Sequence, residues 1–94
     1  MIDVAQIVYL ESQGNYTKII TIDDEYLVSK TLKSFSYLQE NYGFVRVHNS
    51  YIVNPNRIMR YVKGDGGYLV MDNKSQISVS RNRKDYLIKV LLQK

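Results

Sequence analysis

Two polar clusters hold the side chains with chemistry to offer. The first is Arg46, His48, Asn49 and Ser50, inside the run F-V-R-V-H-N-S-Y-I-V-N from Phe44 to Asn54, and the second is Ser78, Ser80, Arg81, Asn82, Arg83 and Lys84. Phe44, Val45, Val47, Tyr51, Ile52 and Val53 have the β-branched and aromatic character of a strand, which has little use for four polar neighbours at its middle. A surface that hydrogen-bonds a polar, negatively charged partner does. Lys and Arg neutralise phosphates, Arg forks onto guanine O6 and N7, and Asn onto adenine N6 and N7, so the two clusters are the donor set that a nucleic acid asks for. Composition alone does not say that they converge in space.

The bulk numbers frame that reading. Ninety-four residues fit one compact domain with a small core, and 45% hydrophobic with 23% charged residues is ordinary for a globular chain. The net charge of +4 and pI near 9.3 favour an anionic partner. With no Cys and one His, neither a disulfide framework nor a zinc site is expected, and no cofactor is called for. No apolar run approaches the ~20 residues that cross a bilayer, and the N-terminus has no signal-peptide pattern, so a soluble, cytoplasmic protein without membrane contact is expected. The nine Tyr residues suit half-buried strands, with a ring on the core and a hydroxyl at the rim.

Short apolar runs separated by turn residues must position the clusters. Gln6 to Glu11, Tyr16 to Ile22 and Tyr26 to Ser29 read as an opening β-meander, with turns at 12–15 and at Asp23-Asp24-Glu25. Leu32, Phe35, Leu38 and Tyr42 fall at helical spacing, capped by Ser29 or Thr31 and ended by Gly43. Phe44 to Val53 reads as one strand, stopped by Asn54-Pro55-Asn56. Strands over Arg57 to Val62, Tyr68 to Met71 and Gln76 to Ser80 follow, and Tyr86, Leu87, Val90 and Leu91 give a terminal helix within Asn82 to Leu92. Gly64, Gly66 and Gly67 lie between two strands with no helix after them, so they make a hairpin turn and not a phosphate loop. The expected class is mainly β and antiparallel.

The chain resembles the LytTR (LytR/AlgR-type) family of DNA-binding domains, the output modules of bacterial response regulators in two-component systems. The likeness runs through I-V-Y-L-E-S-Q-G-N-Y-T-K-I at Ile7 to Ile19, T-L-K at Thr31 to Lys33, the Phe44 to Asn54 run, and I-S-V-S-R at Ile77 to Arg81. Four motifs in order are a specific signal. The resemblance implies an elongated stack of small antiparallel sheets, with one short helix after the third strand and a short C-terminal helix. It implies loops presented to successive major grooves of repeated double-stranded DNA sites, without a helix-turn-helix. It also implies a receiver domain in a full-length protein. Family members usually begin with another strand before the segment at Ile7, so residues 1–94 read as a single domain lacking that strand and any receiver domain. A bare edge of the first sheet would then pair with a second copy, and a homodimer is expected there or on DNA.

Carried over by the resemblance, the base-reading residues are Asn49, Arg81, Asn15 and Thr17, Arg81 being the firmest because Arg on guanine is the commonest specific contact. Phosphate positioning falls to Lys18, Thr31, Lys33, Ser50, Asn82, Arg83 and Lys84, with Thr31 and Lys33 at the start of the short helix. His48 and Arg46 support them. Each has a plainer rival: Arg46 pairing with a carboxylate, His48 shaping its loop, Asn49 forming a turn, Lys33 lying on a solvated helix face. A protein-interaction module with a basic face is the competing function. Catalysis has little support, since the chain lacks a thiol, a second His and a G-x-S-x-G elbow, and Asp23, Asp24 and Glu25 read as turn residues. RNA binding is a further reading, since Tyr rings can stack on unpaired bases, though the chain shows no RNP-like pattern.

Overall fold

In the computed structural model, which describes residues 2–65 and 67–93, every expected strand forms, and one of them divides. The strands are β1 (Ile7–Gln13), β2 (Tyr16–Thr21), β3 (Glu25–Val28), β4 (Val45–His48), β5 (Tyr51–Val53), β6 (Ile58–Val62), β7 (Tyr68–Met71) and β8 (Gln76–Ser78). They build a five-stranded sheet in the order β3-β2-β1-β5-β4 and a three-stranded sheet in the order β6-β7-β8. All pairings are antiparallel. The single strand expected over Phe44 to Val53 is corrected to a hairpin, with Asn49 and Ser50 at the turn between β4 and β5. Its polar middle is polar because the chain reverses there.

A 3₁₀ turn over Leu32–Phe35 leads into α1 (Ser36–Tyr42), and a second over Arg81–Arg83 leads into α2 (Lys84–Leu92). Gly43 ends α1 in the left-handed region, at φ 73°, with its N–H on the Leu38 carbonyl. Leu32, Phe35 and Leu38 are buried as expected, but Tyr42 and Tyr86 face outward at 54% and 62% exposure and leave the apolar stripes assigned to them. Of the glycine turn, Gly66 lies outside the described residues. Gly67 has φ +82°, and a Cβ there would lie 2.6 Å from the Val62 carbonyl oxygen, so only glycine fits.

The five-stranded sheet is covered on both faces. One face meets the small sheet and α2 through Val8, Val45, Val47, Val53, Leu69, Met71, Ile77, Val79 and Leu87. The other carries the segment 32–44 through Ile7, Leu10, Ile19, Leu32, Phe35, Leu38, Phe44 and Ile52. Between Ile7 and Tyr9 the register slips, which sends Ile7 and Leu10 to one core and Val8 and Tyr9 to the other. β1 lies inside the sheet, paired on both sides, so the outer strands are β3 and β4.

Leu87 is the contact of α2 that is fully removed from solvent. Leu87→Ala is expected to cost about 2–5 kcal/mol of stability, read as a lowered midpoint in denaturant with an unchanged slope.

Candidate nucleic-acid interface

Topology brings four loops to one end of the five-stranded sheet. Gln13↔Tyr16 closes β1 onto β2 around Gly14 and Asn15, and Thr17↔Val28 puts Ser29 to Thr31 beside them. Glu11↔Tyr51 brings the Asn49-Ser50 turn to the same end, where the Ser50 carbonyl accepts from the Ser12 N–H at 2.8 Å. The fourth loop arrives from the small sheet. Ser80 donates its N–H to the Val47 carbonyl at 2.9 Å and its Oγ to the same oxygen at 3.3 Å. That carbonyl belongs to the residue at which the β4–β5 register slips, and it sits on the outer edge of β4. The second polar cluster is thereby fastened one residue from the first.

Five strands about 4.8 Å apart make an end about 19 Å across. The opposite end is acidic: Asp3, Asp23 and Asp24 line one small cleft there. The sheet therefore carries a charge gradient along its strands. The Asp23-Asp24 turn is held by Thr21, whose Oγ1 accepts the Asp24 N–H at 2.9 Å, as a structural turn. Among the described residues, no group of three or more His, Asp or Glu converges to hold a metal.

The expected base readers fare differently. Asn49 and Asn15 are exposed at adjacent turns. The Arg81 side chain is 76% exposed and its Nη2 donates to Asp65 Oδ2 at 2.9 Å, an ion pair open to water that orients the guanidinium at little cost. Thr17 is the correction: it is fully buried, its Oγ1 donating to the Lys30 carbonyl at 2.8 Å, so it has no surface to present to a base. Its hydroxyl fastens the chain after β3 to β2 instead.

Among the phosphate candidates, Thr31, Lys33 and Asn82 are exposed. Thr31 occupies the cap position without making a side-chain cap bond, and the helix that follows starts as a 3₁₀ turn, which weakens the dipole argument for that spot. Lys18 leans away from the loop end onto Glu25, at 3.7 Å. Ser50 spends its N–H on His48 Nδ1, at 3.0 Å, and Lys84 begins α2, partly buried. Arg83 is partly buried, and its Nε has no acceptor among the described residues.

The supporting pair shapes the Asn49 turn. His48 accepts the Ser50 N–H at Nδ1, and its ring meets that of Tyr51 at a tilt, 5.4 Å between centroids. Arg46 has no carboxylate partner among the described residues, contrary to the plainer expectation. Its Nε donates to the His48 carbonyl at 3.1 Å and its Nη2 to the Asn49 carbonyl, clamping the turn from within. Burial and then the neighbouring Arg83 charge push the Arg46 guanidinium below its usual pKa. Burial, then Glu11 and Tyr9, raise that of Tyr51. Sequence reasoning missed Asp65 and the facing of Thr17. No local signal links Asp65 to Arg81, whereas Thr17 shares strand parity with the buried Ile19.

Fold and charge together define a mainly β domain with basic side chains at one loop-built end. The chain belongs to the LytTr DNA-binding domain family, whose model matches residues 1–92. It is 35% identical, over 97% of its length, to the heme-containing CO-sensing transcriptional regulator RcoM 1 of Paraburkholderia xenovorans, and 31% identical, again over 97%, to the sensory transduction protein LytT of Bacillus subtilis. It spans 35% and 39% of the length of those relatives. A solved LytTr DNA-binding domain from Bacillus cereus superposes with a TM-score of 0.84 at 28% identity, over 96% of this chain and 84% of that one. The fold expected from the resemblance, small antiparallel sheets with one short helix after the third strand and a short C-terminal helix, is observed, as two sheets and two short helices.

Thr17→Val keeps the shape and removes the hydroxyl. It is expected to lower stability by about 1 kcal/mol in denaturant unfolding while leaving the ranking of duplex sequences bound by the folded protein unchanged; a changed ranking would restore Thr17 to the reading set.

Proposed function

We propose that this domain binds double-stranded DNA sequence-specifically, as the output module of a bacterial transcription regulator, by laying the four-loop end of its larger sheet across major grooves. The observation that carries the reading is the Ser80 to Val47 hydrogen bond, because it makes one surface of two clusters that the sequence separates. Asn49 and Arg81 read bases, with Asn15 beside them. Lys33, Thr31, Ser50, Asn82, Arg83 and Lys84 set register and strength on the phosphates, with Lys18 marginal. None of this needs catalysis or a cofactor.

Repeated sites suit a domain of this width, with copies on successive half-sites. β3, an outer strand with exposed Tyr26 and Leu27, is the edge through which two copies could pair. A receiver or other sensory domain joined to this one, and action in the cytoplasm, belong to the same proposal; no helix among the described residues is long and apolar enough to cross a membrane.

Selection from a pool of random duplexes tests the reading. The native chain is expected to enrich a repeated motif, with affinity falling log-linearly as salt rises. Arg81→Ala and Asn49→Ala should each lose about 1–3 kcal/mol on that motif and relax preference at one position. Enrichment of no motif, or binding indifferent to salt, would favour a basic protein-interaction module instead.

A further inference from the structure

Beside the loop end lies a cleft of about 340 Å³ lined by Gln39, Phe44, Arg46, Asn82, Arg83 and Tyr86. Two of its walls are arginines, and neither has a carboxylate partner among the described residues. Arg46 is half-spent, its Nε and Nη2 on the carbonyls of His48 and Asn49. Arg83 is the anomaly. Its Nε is buried and meets no acceptor, although a charged donor cut off from water is among the costlier groups to leave unpaired. Two like charges drawn together along one cleft, with no carboxylate between them, form an arrangement that an incoming oxyanion meeting the open edges of both guanidiniums would relieve.

We propose that this cleft is a phosphate-binding site in which Arg46 and Arg83 grip one phosphate group from two sides, with the Asn82 amide at its rim. Planar guanidinium forks match the oxygen geometry of a phosphate. The phosphate is either a phosphodiester of a bound duplex or a free phosphate. The first source rests on the DNA-binding reading above; the second does not. Because Arg46 also holds the Asn49 turn, filling the cleft fixes the geometry of a base reader, so an otherwise sequence-blind contact sharpens sequence preference. Arg46 acts here both as ligand and as a positioning residue.

The test has two arms on the native chain, Arg83→Gln, Arg83→Lys and Arg46→Lys, each checked for folding by denaturant unfolding. In the first arm, inorganic phosphate is titrated against chloride at matched ionic strength, and the Arg Nε–H resonances and melting temperature are followed. Native protein should respond saturably, and Arg83→Gln should not. In the second arm, duplexes from the selection carry one methylphosphonate at each backbone position in turn. One position should weaken native binding roughly tenfold and leave Arg83→Gln unaffected, while Arg83→Gln lowers the salt slope by about 1 equally on all sequences. Arg83→Gln and Arg46→Lys should both, in addition, relax preference at the base read by Asn49. A response in the first arm alone assigns the site to free phosphate, and one in the second alone to the DNA backbone. If Arg83→Gln matches the native chain in both arms, the cleft is not a phosphate site, whether or not Arg81→Ala abolishes site preference. If Arg83→Gln does not fold, Arg83→Lys, which keeps the charge but loses the Nε donor and the fork, takes its place and should lose most of both responses.

Discussion

One carbonyl joins the halves of this domain. Val47 C=O, on the outer edge of β4, receives the Ser80 N–H, and thereby seats the Arg81 to Lys84 segment against the Asn49 turn across 33 residues of sequence. That join sets the guanidiniums of Arg81 and Arg83 beside the turns of the larger sheet. It also covers the edge of β4, which would otherwise be open to another strand.

A hydrogen bond of this kind contributes only about 1 kcal/mol net, so it records the geometry more than it creates it. Apolar packing does the creating. Val47 and Val79, each one residue from a polar loop, are buried in the same cluster, and Leu87 of α2 closes it. Stability and function therefore meet at adjacent positions along the chain: alternate residues of β4 hold the two sheets together while those between them, Arg46 and His48, govern the turn. Polar residues that look surplus to a strand are those that aim Asn49.

Much of this was legible beforehand. The β-branched runs and their turn residues locate every strand except the β4–β5 pair to within about two residues, and the helical spacing of Leu32, Phe35 and Leu38 finds the covering segment. The hairpin at Asn49-Ser50 was hidden because apolar strand residues flank it closely on both sides and its pair is not one of the usual tight-turn dipeptides. Thr17 was misassigned by carrying a motif position over without its facing; parity with Ile19 points it into the core. Tyr42 and Tyr86 were counted as apolar because their rings are, whereas a Tyr at a helix edge keeps its hydroxyl in water. The Asp65–Arg81 pair and the approach of Arg83 to Arg46 come from tertiary folding, with no periodicity or motif to announce them.

That the four loops act as one surface is open to a single direct measurement: backbone amide shifts of the labelled domain, followed while a duplex recovered by selection is added. The expected result is one contiguous set of perturbed amides over Gly14-Asn15, Lys30-Thr31, His48 to Ser50 and Arg81 to Arg83, with the Asp23-Asp24 turn at the far end of the sheet silent. Perturbations centred on that acidic end, or confined to one loop while the Ser80 amide and its neighbours stay unmoved, would contradict it.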